Sequence, residues 1–109
     1  MVMSSMIPQP PGDPDLLIAS EILHLRWATH IIALLAKGEK RPKEIADTLG
    51  ISTVSTLYWA LNRLLKNHII EKRELRTFNR LYTYYRLTAR GREFSHIVDQ
   101  IKTWGRTYR

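Results

Sequence analysis

Residues 42–67 read PKEIADTLGISTVSTLYWALNRLLKN, and this stretch decides the fold class. Pro42 is placed to open a short helix, and Gly50 is placed to end it. A tight connection follows, in which Ser52 or Thr53 is positioned as the cap of a second helix. Apolar residues then recur at helical spacing to the end of the stretch. The pattern predicts two helices joined by a short turn.

The second helix, predicted over 53–67, has an unusual outward face. The predicted inward residues are Val54, Leu57, Leu61, Leu64 and Leu65, and Tyr58 is also expected to belong to the core. The other positions hold hydroxyls, an indole, an amide and cations instead of the good helix formers that usually fill a solvated face. These outward or flanking residues are Ser52, Thr53, Ser55, Thr56, Trp59, Asn62, Arg63 and Lys66.

That outward face has the side chains of a surface that reads DNA. Short residues at a helix start allow close approach, and the free N–H groups there can bind phosphate. Asn and Arg can pair with the edges of adenine and guanine. We therefore predict that this helix enters the major groove, with specificity from Thr56, Asn62 and Arg63. Trp59 has three interpretations: it contacts DNA, it packs on the neighbouring hairpin, or it marks a protein partner.

A basic β-hairpin is predicted after this helix, with strands near 69–76 and 81–87 and a tip at 77–80. Its cations can reach the DNA backbone or an adjacent minor groove. The alternative is a solvated ribbon whose charges block edge pairing. The predicted DNA contacts of this wing are Lys72, Arg73, Arg76, Asn79 and Arg80, of which Arg76 and Arg80 are the principal ones.

The hairpin lies between two longer helical segments. Asp13 and Pro14 form a helix start, and no Pro or Gly occurs from Leu16 to Ala36, so one helix is predicted there. Thr88 is placed to cap the last helix. We expect residues 1–12 to form a flexible arm and 13–109 to form one domain. The whole pattern predicts a mainly α fold with a small β-hairpin (α+β), a winged helix-turn-helix.

The first and last helices carry more apolar surface than a small domain can cover alone. A second copy of the chain is the natural partner, because the two DNA-reading helices of a dimer match two half-sites one turn of DNA apart. The alternative is packing only on the chain's own core. The predicted homodimer interface comprises Leu16, Leu17, Ile22, Leu23, Phe94, Ile97, Val98, Ile101 and Trp104.

The net charge of +7 is unevenly distributed along the 109 residues. Residues 1–59 hold 5 basic and 6 acidic side chains, a net of −1, whereas residues 60–109 hold 12 and 4, a net of +8. A strongly basic half indicates a polyanionic partner. Double-stranded DNA is the predicted partner.

Other classes of function find little support in the sequence. The chain has no cysteine, and its four histidines lack ligand spacing, so neither a metal nor another cofactor is predicted. No phosphate-binding loop or catalytic constellation stands out, so an enzyme is not expected. No apolar run is long enough to span a membrane. A cytoplasmic or nucleoid-associated protein is expected, and no polar constellation marks an effector site.

Three segments together resemble the HxlR-type winged-helix regulators, which are related to the MarR and PadR groups. They are RWATHIIALLAKGEKRPKEI (26–45), LNRLLKNHIIEK (61–72) and YRLTARGREFSHIVDQIKTWG (85–105). The resemblance implies a dimeric DNA-binding transcriptional regulator whose first and last helices form much of the interface. This chain departs from the family pattern in lacking the frequent N-terminal cysteine and the proline-rich wing, and its recognition helix is about one residue longer.

The predicted function is therefore sequence-specific binding of double-stranded DNA for transcriptional regulation. Two alternatives use the same surfaces. One is an architectural or chromatin-like protein that binds DNA without choosing a sequence. The other is a winged-helix adaptor that binds proteins, for which the basic hairpin is a poor fit.

Overall fold

The computed structural model describes residues 12–109, and the predicted arm therefore lies almost wholly outside the described residues. Five helices and one hairpin follow each other along the chain. They are α1 (Pro14–His24), α2 (Ala28–Leu35), α3 (Pro42–Leu49), α4 (Val54–Lys66), β1 (Ile70–Thr77), β2 (Arg80–Leu87) and α5 (Ala89–Tyr108). This is a winged helix-turn-helix, as the sequence predicted.

The single helix predicted from Leu16 to Ala36 is wrong, because α1 and α2 meet at 87°. The chain leaves α1 through Leu25, whose backbone is extended (φ −76°, ψ 125°). Neither Pro nor Gly marks this break. Its physical reason is burial, since the bend brings Ile22, Leu25 and Ala28 into one core, which a straight helix would spread over several faces.

The helix-turn-helix forms as predicted, with clear signals at each end. Pro42 is the first residue of α3, and the Glu44 carboxylate accepts a hydrogen bond from the Arg41 N–H at 2.8 Å. Gly50 ends α3 in the left-handed conformation with φ 75°, which a residue without Cβ adopts freely. Ile51 is buried in the turn that leads into α4.

The wing is an antiparallel hairpin in which Ile70 faces Leu87 and Thr77 faces Arg80. Its two-residue loop is formed by Phe78 and Asn79. The inner strand β2 is also fixed to the segment before α3, because Lys40 and Tyr85 exchange backbone hydrogen bonds at 3.0 and 2.8 Å. The hairpin is therefore held along its base by the helical body.

The ends of α4 and β2 meet the start of α5 at one junction. His68, with φ 58°, turns the chain out of α4, and the Ile69 N–H closes the helix on the Leu64 carbonyl at 3.0 Å. The Thr88 hydroxyl donates to the His68 carbonyl at 2.6 Å and accepts from the Gly91 N–H at 3.0 Å. A Cβ on Gly91 would lie 2.0 Å from the Ile69 carbonyl oxygen, so glycine alone fits there.

The core lies among α1, α2, α3, α4, the first half of α5 and the base of the wing. Its fully buried side chains include Ile22, Ile31, Ile32, Ile45, Leu61, Leu64, Ile69, Ile70, Tyr85 and Val98. Within residues 12–109 no single helix is long and apolar enough to cross a membrane; α1 and α2 together have the length and composition but are bent at the break.

Gly91→Ala is expected to destabilise the protein by about 2 kcal/mol or more, because the methyl group forces α5 away from the Ile69 carbonyl. Gly105→Ala is the matched control, since no atom lies within 4 Å of its added Cβ. That change should stabilise α5 by about 0.5–1 kcal/mol. Urea unfolding of both variants measures the difference, and equal effects at the two glycines would contradict the junction.

Candidate nucleic-acid interface

The outward face of α4 is centred on Ser55, Asn62 and Lys66. At about 100° per residue, these three side chains project in nearly the same direction. The opposite face is buried and consists of Leu57, Ala60, Leu61 and Leu64. No Asp or Glu occurs between Asp47 and Glu71. The exposed face of α4 therefore carries no negative charge, and its centre is polar or cationic, although the apolar or aromatic side chains of Val54, Tyr58 and Trp59 are also exposed beside it.

Two expectations about the inward face are wrong. Val54 was predicted to point inward, but 71% of its surface is exposed. Tyr58 was expected in the core, yet 38% of it is exposed. Both belong to the edge of α4 that faces α3, where they border a cleft with Pro42 and Lys43. The core is filled by Ala60 instead, whose small side chain gave little signal in the apolar pattern.

The start of α4 is built from short hydroxyl side chains. Thr53 is the cap residue by position, but its side chain makes no capping hydrogen bond. Its hydroxyl donates to the Thr56 hydroxyl instead. The first-turn N–H groups of α4 therefore stay without a side-chain acceptor from the cap, and no acidic residue lies in that turn. Such a helix start is suited to a phosphate group.

Trp59 lies on the edge of α4 that faces α1 and the bend. It is 56% exposed and borders one cleft with Leu17 and His24 and another with Leu25 and Trp27. No residue of the hairpin lines either cleft, so packing of Trp59 on the wing is not what the structure shows. The Arg63 guanidinium lies over the indole, 5.3 Å from the ring centroid. This cation–π contact limits the conformers of Arg63 and reduces the entropy that it loses on binding.

One predicted wing contact, Arg73, is used to hold the wing in place. Its guanidinium binds the Glu39 carboxylate with two hydrogen bonds, at 3.0 and 2.6 Å, and lies over the Tyr84 ring at 5.2 Å. Glu39 lies in the connection between α2 and α3. Arg73 thus joins the outer strand to the helical body, and two of its N–H donors are engaged by Glu39. We therefore propose that Arg73 positions the wing instead of contacting DNA.

The ionisation of Glu39 reflects this clamp. The hydrogen bond from Arg73 lowers the pKa of the Glu39 carboxyl below its ordinary value of 4.5, and the positive charge of Arg73 acts in the same direction. A carboxylate whose pKa is lower in the folded state stabilises that state above its unfolded pKa. The contribution is lost as the pH falls through the folded value.

Glu39→Gln is expected to lower the free energy of unfolding near pH 7, and the difference from the wild type should shrink as the pH falls through the lowered pKa of the Glu39 carboxyl, because the wild-type side chain also becomes neutral there. Urea unfolding near pH 7 and at low pH measures this. The matched control is Glu74→Gln, because Glu74 lies on the same strand as Arg73 and makes no salt bridge within residues 12–109. The clamp is contradicted if the Glu39→Gln difference is absent near pH 7 or unchanged at low pH.

Of the other cations of the wing, one is paired and three have no acidic partner among the described residues. Arg86 pairs with Glu71 across the strands at 3.1 Å. Within residues 12–109 no carboxylate lies within salt-bridge distance of Lys72, Arg76 or Arg80, and all three are exposed. Asn79 is exposed in the loop between the strands. The wing thus presents cations beside the polar face of α4.

The predicted interface residues divide into two groups. Ile22, Phe94 and Val98 are buried in the chain's own core, so they offer no surface to a second subunit. Leu16, Leu23, Ile97, Ile101 and Trp104 are exposed, and Leu17 is half-buried. The last three turns of α5, from Asp99 onward, extend beyond the core, and the Trp104 and Tyr108 rings contact each other there, with centroids 5.1 Å apart.

Some features of this surface were missed from the sequence. Tyr58 was assigned to the core, and Phe78 at the wing tip was not singled out. The role of Glu39 in the clamp depends on a partner 34 residues away, which no local pattern reveals. In the part of the chain that the structure describes, no group of His, Asp and Glu side chains is arranged to hold a metal ion.

The fold and this surface define a winged helix-turn-helix DNA-binding protein. The sequence pattern of the HxlR-like helix-turn-helix family matches residues 22–109. The chain therefore belongs to that family of transcriptional regulators. It is 30% identical over 91 residues to the HTH-type transcriptional regulator YodB of Bacillus subtilis, which covers 84% of this chain and 80% of YodB.

Solved structures agree with this assignment. The reduced form of YodB superposes with a TM-score of 0.76 and 28% identity, over 90% of this chain and 95% of that one. The oxidised form of the redox regulator HypR gives a TM-score of 0.79 at 23% identity, over 87% of this chain and 97% of that one. A MarR-family regulator from Porphyromonas gingivalis gives 0.81 at 18% identity, over 94% and 100%. The last two share the fold.

Proposed function

We propose that this sequence-specific DNA-binding transcriptional regulator acts as a homodimer, with one α4 in each of two successive major grooves and each wing on the flanking backbone or minor groove. The observation that carries the proposal is the exposed face of α4, which has a polar and cationic centre and no acidic group, and which the wing with its unpaired cations follows directly in the chain. An α-helix fits the width of the major groove.

Base choice is assigned to the outward face of α4. Asn62 lies at its centre, where an amide can donate to and accept from one adenine. Arg63 lies toward α1 and is held by Trp59. Ser55 and Thr56 are close to the helix start and are placed for phosphate contacts or short contacts with bases.

Affinity is assigned mainly to the cations that have no acidic partner. Lys66 ends α4, and Lys72, Arg76 and Arg80 belong to the wing. Contacts of this kind release counterions from DNA, so binding should weaken steeply with salt. Arg73 is left out of the DNA surface because Glu39 binds it.

The dimer is proposed on the exposed apolar surfaces of α1 and α5. Leu16 and Leu23 project from α1, and Ile101 and Trp104 project from the part of α5 that extends beyond the core. Isolated helices with such faces are stabilised by burial against another element. A second copy places the same faces opposite each other and repeats the DNA-reading helix by two-fold symmetry.

Thiol chemistry is not part of this proposal. YodB has been solved in reduced, diamide-treated and quinone-bound forms, and HypR in reduced and oxidised forms. The present chain contains no cysteine. A signal carried by a cysteine thiol therefore has no acceptor in this protein.

The proposal is tested by selecting bound sequences from a random pool of double-stranded DNA. A palindromic motif with half-sites about one turn apart is the expected result. Binding that is steeply salt-dependent but yields no motif would favour an architectural protein. No binding at low salt would contradict any DNA-binding role and favour a protein adaptor.

Asn62→Ala and Arg80→Ala are expected to act differently on that motif. Asn62→Ala should lose about 1–3 kcal/mol of discrimination at one base pair of each half-site. Arg80→Ala should weaken all sequences alike and reduce the magnitude of the salt slope by about 1 per protomer. Titrations of matched and single-mismatch duplexes at several salt concentrations measure both effects. A uniform loss from Asn62→Ala would contradict its assigned role.

A further inference from the structure

Phe78 occupies an unusual place at the tip of the wing. It is 103% exposed, so its ring is as accessible as in an extended chain. It is also the first residue of a two-residue hairpin loop, and its φ is 44°. Residues with a Cβ avoid this region, and two-residue loops usually place Gly, Asn or Asp there. The chain therefore places a large apolar ring where folding favours a small or polar residue.

The fold itself offers no reason for this ring. Phe78 is outside the core, and the hairpin is held elsewhere by the Lys40–Tyr85 hydrogen bonds and the Arg73–Glu39 clamp. A glycine would relieve the backbone and remove the exposed apolar surface at once. Strained backbone at an exposed position is a feature of sites that bind a partner.

The surroundings of Phe78 identify the kind of partner. Successive side chains of a strand point to opposite faces, so Arg76, opposite Leu81, and Arg80, opposite Thr77, lie on the two faces of the ribbon. Neither has a carboxylate partner among the described residues. Thr77 and Asn79 add a hydroxyl and an amide next to the ring. The tip is thus an apolar ring between two cations, which matches the apolar stacked faces of the bases and the phosphate row on each side of a DNA groove.

We propose that Phe78 is a wedge, which enters the minor groove beside each half-site and inserts its ring partly between two stacked base pairs. Arg76 and Arg80 would hold the phosphates on either side. Insertion of apolar side chains at a base step unstacks the step and bends the duplex. Pyrimidine–purine steps such as TA open most easily, so the wedge also selects sequence outside the major-groove contacts. The wedge rests on the proposed function and adds to it a second site of sequence choice.

The test uses duplexes that contain the selected motif, with 2-aminopurine placed at successive positions under the wing. This base becomes more fluorescent when it is unstacked. The wild-type chain is expected to raise the fluorescence at one step on each side of the motif. Phe78→Gly should abolish that rise and weaken binding roughly fivefold or more, while the bases read by α4 stay the same.

Phe78→Gly also separates the wedge from a folding defect. Because glycine adopts the loop conformation freely, the Tm of this variant should rise while its DNA affinity falls. Leu75→Ala is the matched control, since Leu75 is an exposed apolar residue on the same hairpin but away from the loop. It should leave the fluorescence signal unchanged.

The outcomes distinguish the wedge from the function on which it rests. A wild-type protein that binds the motif without any fluorescence change, or a Phe78→Gly variant with the wild-type signal and affinity, would overturn the wedge alone. A wild-type protein that does not bind DNA would overturn the proposed function and the wedge together. Loss of the signal in Leu75→Ala as well as in Phe78→Gly would also overturn the assignment to Phe78.

Discussion

The contact of Gly91 with the Ile69 carbonyl is the constraint on which the arrangement of this protein depends. Three elements meet at that point: α4 ends just before it, the first and last residues of the hairpin lie beside it, and α5 starts there. The Thr88 hydroxyl adds two hydrogen bonds to the same junction. Because three elements are fixed within a few residues, the polar face of α4 and the base of the wing have one relative position. A side chain at Gly91 would separate them, whatever the DNA-facing residues were.

A second set of contacts fixes the wing away from this junction. The Glu39 carboxylate binds Arg73 on the outer strand, and the backbone of Lys40 pairs with Tyr85 on the inner strand. Both anchors come from the short connection between α2 and α3, and α3 follows directly at Pro42. The helix-turn-helix is therefore tied to the wing at both ends. Only the tip extends freely, and there the unpaired Arg76 and Arg80 and the exposed Phe78 are found.

The predictable part of this fold is the part that local chemistry determines. Pro42, Gly50 and Thr88 end or start helices through their own backbone and side-chain properties, and the structure confirms them. The break at Leu25 was not predictable in the same way, since no Pro or Gly marks it and the core alone requires it. Arg73 looked like any other wing cation until folding brought Glu39 to it. The prediction that Val54 is buried was wrong because an apolar pattern shows which face of a helix is covered. It does not show how far along the helix the covering elements extend.

The proposed function requires that α4 and the wing tip contact the same DNA together. Two-dimensional NMR of the protein with a duplex that carries the selected motif tests it most directly, by mapping changes in the backbone amide signals. We expect the largest changes at Ser55, Asn62 and Lys66 and at the tip from Arg76 to Arg80. Both regions should change over the same range of DNA concentration. Changes confined to α1 and α5, with α4 and the tip unaffected, would contradict the proposed function.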